Sequence, residues 1–401
     1  MKPKKESDPL TSSVHSAMQG GRNGRLCLFG ALALAPLFTS CRAHDFPQYP
    51  ANYREYAYVT NGGSGTVTVL DVVNLRLDRE LAVGPNPVAV AVSPTRDEVY
   101  IVNSGSPAGQ GSISVINADN NSVAATIPVH KQPVAIDLDP GGDLAYVANA
   151  GSNSISVVDL KARREIAQIG AGEAPAAIKV SPDGKTAVVA NRDGNSASLV
   201  DLTARKVRAV FEGCPGADDA VILPDSSKTF VACAGGHQVM AVALANAKNP
   251  DRLEAMMDVG RGPVQLALKP DGGELFVSNS LSDSISEVVT STDDVGGAYM
   301  MGDDPVRGLV SGDNAMLYIG NLHSQEVTVY AINEGRRIGF IHVGDGPAAM
   351  AFSAAGNLLF VLDARSSDVA IVRTRAPQSL FTVLPAGRGA NAIAVKSFTV
   401  Q

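Results

Sequence analysis

The sequence predicts an all-β fold in which one small unit is repeated around a ring. The main observation is a tetrapeptide of an aromatic or aliphatic residue, Val or Ile, a mostly small residue and usually Asn. It recurs at steps of 42 or 46 residues, and so regular a step indicates one supersecondary unit copied many times. The copies begin at Tyr58, Tyr100, Tyr146, Val188, Phe230, Phe276, Tyr318 and Phe360.

Four short apolar runs accompany each copy, and they predict four strands. In the third copy they are residues 135–138, 146–148, 155–158 and 166–169, all rich in Val, Ile and Ala. Turn-forming Pro, Gly, Asn and Asp separate such runs, as in Ser-Pro-Asp-Gly at residues 181–184. Four strands of about six residues plus turns fill about 40 residues, the size of a β-propeller blade. We therefore expect eight four-stranded blades, or seven if a weak copy such as the sixth or eighth is incomplete.

The two ends of the repeat region are predicted to close the ring. The last copy of the first run is residues 391–396, near the C-terminus, whereas the first copy of the second run is residues 56–60. The chain therefore begins inside a blade and ends with the strand which that blade lacks. Pairing of this C-terminal strand with N-terminal strands would remove open sheet edges.

The Tyr-Val-Thr-Asn signature, the Ser-Pro-Asp-Gly turn and a Gly-x-x-Pro linker resemble the repeat of the YVTN-family β-propellers, which are bacterial and YncE-like. The resemblance covers about residues 56–400. It implies a bacterial surface or periplasmic protein and is more specific for fold than for function. More distant relatives of the repeat include lactonases and propellers that bind haem d1.

The N-terminus is typical of an export signal. A polar, basic segment precedes an apolar run over residues 26–38, which is too short to span a bilayer and suits a signal peptide. Small residues before Cys41 resemble a bacterial lipoprotein cleavage site, so we expect residues 1–40 to be a lipoprotein signal peptide, with lipid on Cys41. Residues 41–55 would be a tether and residues 56–401 a single propeller domain. The alternative is a plain secretory signal with an incidental Cys.

Two further points concern the start of translation and the membrane in which the lipid is anchored. Translation could start at Met1 or at Met18, because the polar segment is long. Arg42 follows the lipidated position, which by resemblance to sorting rules favours the outer membrane, facing either the periplasm or the cell surface.

Composition limits the partners. The formal net charge is −7, there is no Trp, and aromatic residues make up 5% of the chain. Nucleic-acid binding favours basic grooves and aromatic stacking platforms, so the sequence predicts no nucleic-acid partner. We expect a monomer that contacts the membrane only through its lipid.

Two further cysteines are predicted to pair. Cys233 replaces the Asn that ends the second strand of the fifth blade, and Cys214 replaces the Gly of the linker before its inner strand. Because the two strands are antiparallel, both cysteines should lie at the same end of one blade. In an oxidising compartment this favours a disulfide over two unpaired buried residues.

The inner strands supply the candidate binding residues. Alternate positions are mostly Ala, which suits crowding near a ring axis, but polar residues interrupt this pattern in five successive blades. With linker arginines they predict a polar pocket at the top of the channel for a small polar ligand or a cation. The alternative is a water-filled channel whose charges pair, for example Lys179 with Asp137 or Asp219, and Arg307 with Asp219. The candidates are Asp137, Lys179, Asp218, Asp219, Gln265, Arg307, Arg261 and Arg388.

No catalytic, metal-binding or haem-attachment motif occurs in the sequence, so we predict no catalytic residue, metal or cofactor. The main hypothesis is a lipid-anchored envelope module that binds a protein, a polymer or a small polar ligand. The alternative is a lactonase-like or haem-d1-handling propeller. In that case Asp218, Asp219 and Arg307 would serve as acid/base and anion-holding groups.

Overall fold

A computed structural model describes residues 49–107 and 109–400. The predicted signal peptide, Cys41 and the first part of the tether lie outside the described residues. Within the described part the chain forms 32 β-strands and two short 3-10 helices, Ala150–Ser152 and Ser280–Ser282. The strands build eight four-stranded antiparallel sheets, which confirms the eight-bladed propeller; the seven-bladed alternative is wrong.

Strands are numbered in chain order, and blades are numbered from the N-terminus. The first four blades contain β1 (Tyr53–Asn61), β2 (Thr66–Asp71), β3 (Arg76–Ala82), β4 (Pro87–Val92), β5 (Glu98–Asn103), β6 (Gln110–Asn117), β7 (Ser122–Lys131), β8 (Pro133–Leu138), β9 (Leu144–Asn149), β10 (Ser154–Asp159), β11 (Arg164–Gly170), β12 (Pro175–Val180), β13 (Thr186–Asn191), β14 (Ser196–Asp201) and β15 (Lys206–Glu212). The remaining strands are β16 (Ala217–Ile222), β17 (Lys228–Cys233), β18 (Gln238–Ala243), β19 (Arg252–Asp258), β20 (Pro263–Leu268), β21 (Glu274–Asn279), β22 (Ser284–Val289), β23 (Asp294–Met300), β24 (Pro305–Val310), β25 (Met316–Asn321), β26 (Glu326–Ala331), β27 (Arg336–His342), β28 (Pro347–Phe352), β29 (Leu358–Asp363), β30 (Asp368–Arg373), β31 (Ser379–Pro385) and β32 (Ala390–Thr399).

Seven blades are formed by four consecutive strands, the first of which lies innermost. The first blade is different, because its order is β32-β1-β2-β3 and the C-terminal strand supplies its inner position. In this pairing Val59 lies opposite Ile393, and Tyr53 lies opposite Thr399. Strand β1 therefore begins at Tyr53, inside the segment predicted as tether, because the end of β32 extends far enough to pair with it. The inner strand β32 also packs against β28 and β4, so the ring is closed.

The hydrophobic core is divided among the interfaces between blades. In each interface, side chains from one face of a sheet pack against the opposite face of the next sheet. Between the second and third blades, for example, Tyr100 and Val102 pack with Val147 and Val158, all buried. This follows from strands whose two faces are both apolar, since each sheet is covered by a neighbour on either side.

The two faces of the ring are distinguished by their loops. We call top the face that carries the linkers between blades and the hairpins joining second to third strands. Backbone hydrogen bonds join these two kinds of loop, as between the Ala150 N–H and the Gln132 carbonyl, 2.9 Å apart. The opposite face is called bottom, and it carries the other hairpins and the first residues of β1.

The signature asparagines fasten the top of the blades. Asn191 is fully buried; its Nδ2 donates to Ser198 Oγ at 2.9 Å, and its Oδ1 accepts the Gly172 N–H at 3.1 Å. Asn61 makes the corresponding bonds to Thr68 and Gly387. Asn61 and Asn191 therefore join a hairpin to the preceding linker. The other signature asparagines bond through Nδ2 to the third strand of their own blade, and their Oδ1 atoms are buried without a hydrogen-bond partner; they are Asn103, Asn149, Asn279 and Asn321.

Candidate functional site

Asp137 on β8 joins the inner strands of the third and fourth blades. One carboxylate oxygen accepts the N–H of the adjacent Leu138 at 3.0 Å. The other accepts the N–H of Val180 on β12 at 2.8 Å. Since β12 is the innermost strand of its blade, the Val180 N–H lies on a free edge where no further strand can pair with it. The carboxylate supplies the partner that a buried amide requires.

Asp219 and Gln265 act in the same way in the next blades. Asp219 Oδ2 accepts the N–H of Leu266 at 3.0 Å, and Gln265 Oε1 accepts the N–H of Gly308 at 2.7 Å. Each side chain thus reaches from one inner strand to the inner strand of the following blade. We call Asp137, Asp219 and Gln265 the channel clamps.

Asp218 has an ionic partner that the sequence did not suggest. The Arg192 guanidinium binds it through Nε, at 3.0 Å from Oδ1, and through Nη2. Arg192 directly follows the signature Asn191 in the top hairpin of the fourth blade, so the ion pair bridges the fourth and fifth blades. The Arg192 side chain is 56% exposed and that of Asp218 is 23% exposed, so solvent screens this pair.

The predicted cationic residues remain more open. Lys179 on β12 and Arg307 on β24 are exposed, and neither side chain makes a hydrogen bond or ion pair within residues 49–107 and 109–400. Arg261 is exposed in the linker before β20. Arg388 is exposed in the last linker and donates from Nη2 to the Gly63 carbonyl at 3.1 Å.

The structure therefore does not gather the eight predicted residues into one hydrogen-bonded cluster. Lys179 pairs with neither Asp137 nor Asp219, and Arg307 does not pair with Asp219, so the suggested channel ion pairs are wrong. The physical reason is that the carboxylates accept backbone N–H groups on the free edges of neighbouring strands. The alternation of residues along the inner strands identifies these side chains, but it does not show which backbone N–H groups lack a partner.

Cys214 and Cys233 are joined as a disulfide, with sulfur atoms 2.04 Å apart and Cα atoms 4.7 Å apart. Cys214 occupies the linker position equivalent to Gly172, and Cys233 occupies the position equivalent to Asn191. The disulfide thus joins linker to hairpin where the fourth blade uses a hydrogen bond. Both residues are fully buried.

A polar pocket at the bottom of the fifth and sixth blades was not predicted. Lys228 Nζ lies 2.8 Å from Glu254 Oε2 and 2.9 Å from Asp293 Oδ1. Burial opposes the charge on Lys228, but these two carboxylates outweigh it and raise its pKa. The pocket has a volume of about 540 Å³, and Asn246 and Asn249 of the lengthened turn between β18 and β19 also line it.

That turn is fixed from the neighbouring blade. Arg208 binds both carboxylate oxygens of Asp251 at 2.8 Å, and Asp251 Oδ1 also accepts the Ala245 N–H at 2.7 Å. The extra length at residues 246–251 is visible in the sequence. The contact between Arg208 and Asp251 is not, because it joins two blades.

The eighth blade contains a buried acid pair. Asp363 replaces the signature Asn, and Asp368 lies directly opposite it in the pairing of β29 with β30. Asp363 Oδ2 accepts the Gly344 N–H at 2.9 Å, whereas Oδ1 of each residue is buried without a hydrogen-bond partner. Burial, with the Asp368 charge beside it, raises the pKa of Asp363 to about 8. One proton between the two carboxyl groups would satisfy both orphan oxygens.

The described residues contain neither a metal-binding cluster nor a membrane-spanning helix. No group of three or more His, Cys, Asp or Glu side chains in the described ranges is placed to hold a metal ion. Among those same residues, no helix has the length and apolar character needed to cross a bilayer.

Comparison with known proteins supports the fold. The family model described as "Lactonase, 7-bladed beta-propeller" matches residues 56–169, which contain β2 to β10 and most of β1 and β11. The match thus covers less than a third of the chain, and the full ring has eight blades where the family has seven. No curated protein matches the sequence.

Several solved structures share the architecture. Apo AztD from Citrobacter koseri is 14% identical over 87% of this chain and 99% of that chain, with a TM-score of 0.65. A putative 6-phosphogluconolactonase from Bacteroides uniformis ATCC 8492 is 13% identical over 86% and 100%, with a TM-score of 0.60. Hydrazine synthase from Kuenenia stuttgartiensis is 19% identical over 79% and 92%, with a TM-score of 0.56. At these identities the likeness is one of fold, and the chain is a β-propeller protein.

Proposed function

We propose that the protein is a binding module of the bacterial envelope that uses its top face and central channel to hold a small polar ligand or a partner. The main support for this proposal is that the inner-strand carboxylates are bound by other groups of the protein. Both oxygens of Asp219 accept backbone amides, and Asp218 is paired with Arg192. Groups held in this way serve as structural ties rather than as free acids or bases.

The proposed location is the envelope, with the chain anchored through lipid on Cys41. The apolar run before Cys41 supports export, and so does the disulfide of the fifth blade, because such bonds persist in oxidising compartments. Intact mass of the mature protein tests this directly. We expect a chain beginning at Cys41 with added acyl mass, and Cys41→Ala should abolish that mass; an unmodified N-terminus elsewhere would contradict the anchor.

Native mass spectrometry of the protein purified as the cell makes it tests the binding function. We expect a small molecule or protein subunit to remain bound under gentle conditions and to dissociate on denaturation. A chain that carries no added mass, and that acquires none on incubation with extract from its host, would contradict a binding role.

Lactone hydrolysis is the second candidate. The partial match to the lactonase family and the fold of the putative 6-phosphogluconolactonase favour it. The carboxylate most available to activate water would be Asp218, whose side chain is 23% exposed and whose recorded partner is Arg192 rather than a backbone N–H. Turnover of a phosphorylated gluconolactone is the test. The binding proposal expects no rate above buffer; a rate that Asp218→Asn removes without unfolding would establish the enzyme instead.

A further inference from the structure

Two cationic side chains are exposed on the inner strands that line the central channel. Their charge indicates which class of ligand the proposed site binds. An inner strand is covered by neighbouring blades on its two faces and by its second strand on one edge. An exposed side chain on such a strand therefore opens to the channel or its mouth. Among the described residues of β4, β8, β12, β16, β20, β24 and β28, the exposed ones are Lys179 and Arg307.

None of the exposed residues on the described inner strands is acidic. On the last inner strand, β32, the exposed residue within the channel segment is the neutral Asn391. The acidic residues of the inner strands are half-buried and already engaged, Asp137 and Asp219 as clamps and Asp218 with Arg192. The exposed charged residues of the inner strands are therefore both cations, although the whole chain is acidic.

The two cations lie at different depths. Inner strands run from top to bottom, Arg307 is the third residue of β24, and Lys179 is the fifth residue of β12. Two residues along a strand correspond to about 6.6 Å. The strands belong to the seventh and fourth blades, so the two charges approach the channel from different sides. A solute entering from the top meets the guanidinium first and the ammonium below it.

The rest of the wall leaves room for a ligand. The eighth, first and second blades present alanine at both the third and the fifth positions of their inner strands. Alanine is small, so these positions leave space on that side of the channel. Ala349 is buried, and the half-buried members are Ala351, Ala392, Ala394, Ala89 and Ala91.

We infer that the channel binds a small organic polyanion, such as a polycarboxylate or a phosphate ester, through Arg307 and Lys179. This inference rests on the proposed binding function and names the ligand class of that site. The two cations have no ion-pair partner within the described residues, so their donors are free for a solute, whereas the Asp137 and Asp219 carboxylates are occupied by backbone N–H groups. Arginine and lysine both form charge-assisted hydrogen bonds with carboxylate and phosphate oxygens.

The test is calorimetric titration of the full protein with citrate, alongside glucose as a neutral probe and spermidine as a cationic one. The variants are Lys179→Gln and Arg307→Gln. Their matched controls are Lys185→Gln and Arg336→Gln, which remove exposed cations from a bottom hairpin and an outer strand. Thermal unfolding of each variant verifies that the ring is intact.

We expect citrate binding that weakens at least about tenfold in each channel variant, as loss of a charged hydrogen bond implies, and changes less than about twofold in the controls. Citrate affinity unchanged by both channel variants, or reduced by one alone, overturns the joint site. Binding of glucose or spermidine without citrate overturns the anion assignment but leaves the binding function standing. Failure of every probe overturns the inference, and the separate search for retained mass then decides whether the binding function also fails.

Discussion

The two sides of the channel are built differently. The alanine wall comprises the inner strands of the eighth, first and second blades, where the third and fifth positions are all alanine. The polar wall comprises those of the third to seventh blades, each of which replaces at least one of these alanines. On the polar wall the clamps Asp137, Asp219 and Gln265 tie neighbouring blades inside the channel.

The alanine wall is tied together at other places. Lys396 Nζ donates to the Ser93 carbonyl at 2.9 Å and joins the first blade to the second near the bottom. Glu55, which is fully buried, accepts the Ala354 N–H at 2.6 Å and joins the first blade to the eighth. In both walls, polar side chains join neighbouring blades by hydrogen bonds, but in the alanine wall these bonds lie outside the channel. The channel positions there are therefore occupied by small side chains.

The largest expected effect is loss of the strand that closes the alanine wall. Truncation before Ala390 removes β32 and leaves both β1 and the two flanking interfaces uncovered. We expect loss of cooperative unfolding, which means the whole stability of the domain, roughly 5–15 kcal/mol. Circular dichroism melting measures it. A chain ending at Thr399 is the control, since it keeps the strand; equal melting of the two truncations would refute the closure.

The next effect concerns the disulfide of the fifth blade, which lies in the polar wall and lacks the signature Asn. Cys214→Ser with Cys233→Ser removes the covalent link of the fifth blade, and we expect a loss of about 2–4 kcal/mol in the free energy of unfolding. Chemical denaturation measures it, and reducing agent added to the wild type should reproduce most of the change. A double variant as stable as the oxidised wild type would show that the link contributes nothing.

A single clamp on the polar wall has a smaller effect. Asp219→Ala leaves the Leu266 N–H without its acceptor, so we expect a destabilisation of about 1–3 kcal/mol. Asp219→Asn keeps an oxygen acceptor and should recover part of it. The control is Asp345→Ala, in a partly exposed linker pair with Arg365 3.7 Å away, expected to be near neutral. If Asp219→Ala and Asp345→Ala were equally stable, the channel clamps would not contribute to stability.

Measured over a single pH unit, the smallest effect is a pH dependence in the eighth blade. Because the pKa of Asp363 is raised by burial to about 8, the folded chain holds a proton that the unfolded chain releases near pH 4. Stability from this group is full below pH 4 and is lost as the pH rises from there through 8, by at most about 1.4 kcal/mol per pH unit. Denaturation at pH 6 to 9 measures the slope. Asp363→Asn, which restores the repeat's usual residue, should flatten it; an identical slope in that variant would exclude the acid pair.

The repeat made much of this architecture predictable. The steps of 42 and 46 residues predicted eight blades, with seven as the alternative, and the position of residues 391–396 predicted the closure by β32. Both depend on local patterns that recur in every copy. The pairing of Cys214 with Cys233 follows from the same logic, since both positions are defined relative to the signature.

The partners of the site residues could not be predicted in the same way. Asp137 and Asp219 stand out in the sequence as exceptions to alanine, but a carboxylate near a ring axis can bind a cation or a free backbone N–H. Which one it binds depends on how a neighbouring blade is placed. Arg192 and Lys228 were missed for a related reason, because each acts across a blade interface, whereas the repeat describes one blade at a time.

The shared blade of the two chain ends has a practical consequence. Asn52 Nδ2 donates to the Val400 carbonyl at 3.1 Å, so the start and finish of the propeller emerge side by side on the bottom face. A fluorophore or affinity handle fused after residue 400 would project from that face, leaving the opposite mouth unobstructed for solutes. New termini for a rearranged chain would be best cut into a top hairpin, with the natural ends spliced by a short linker.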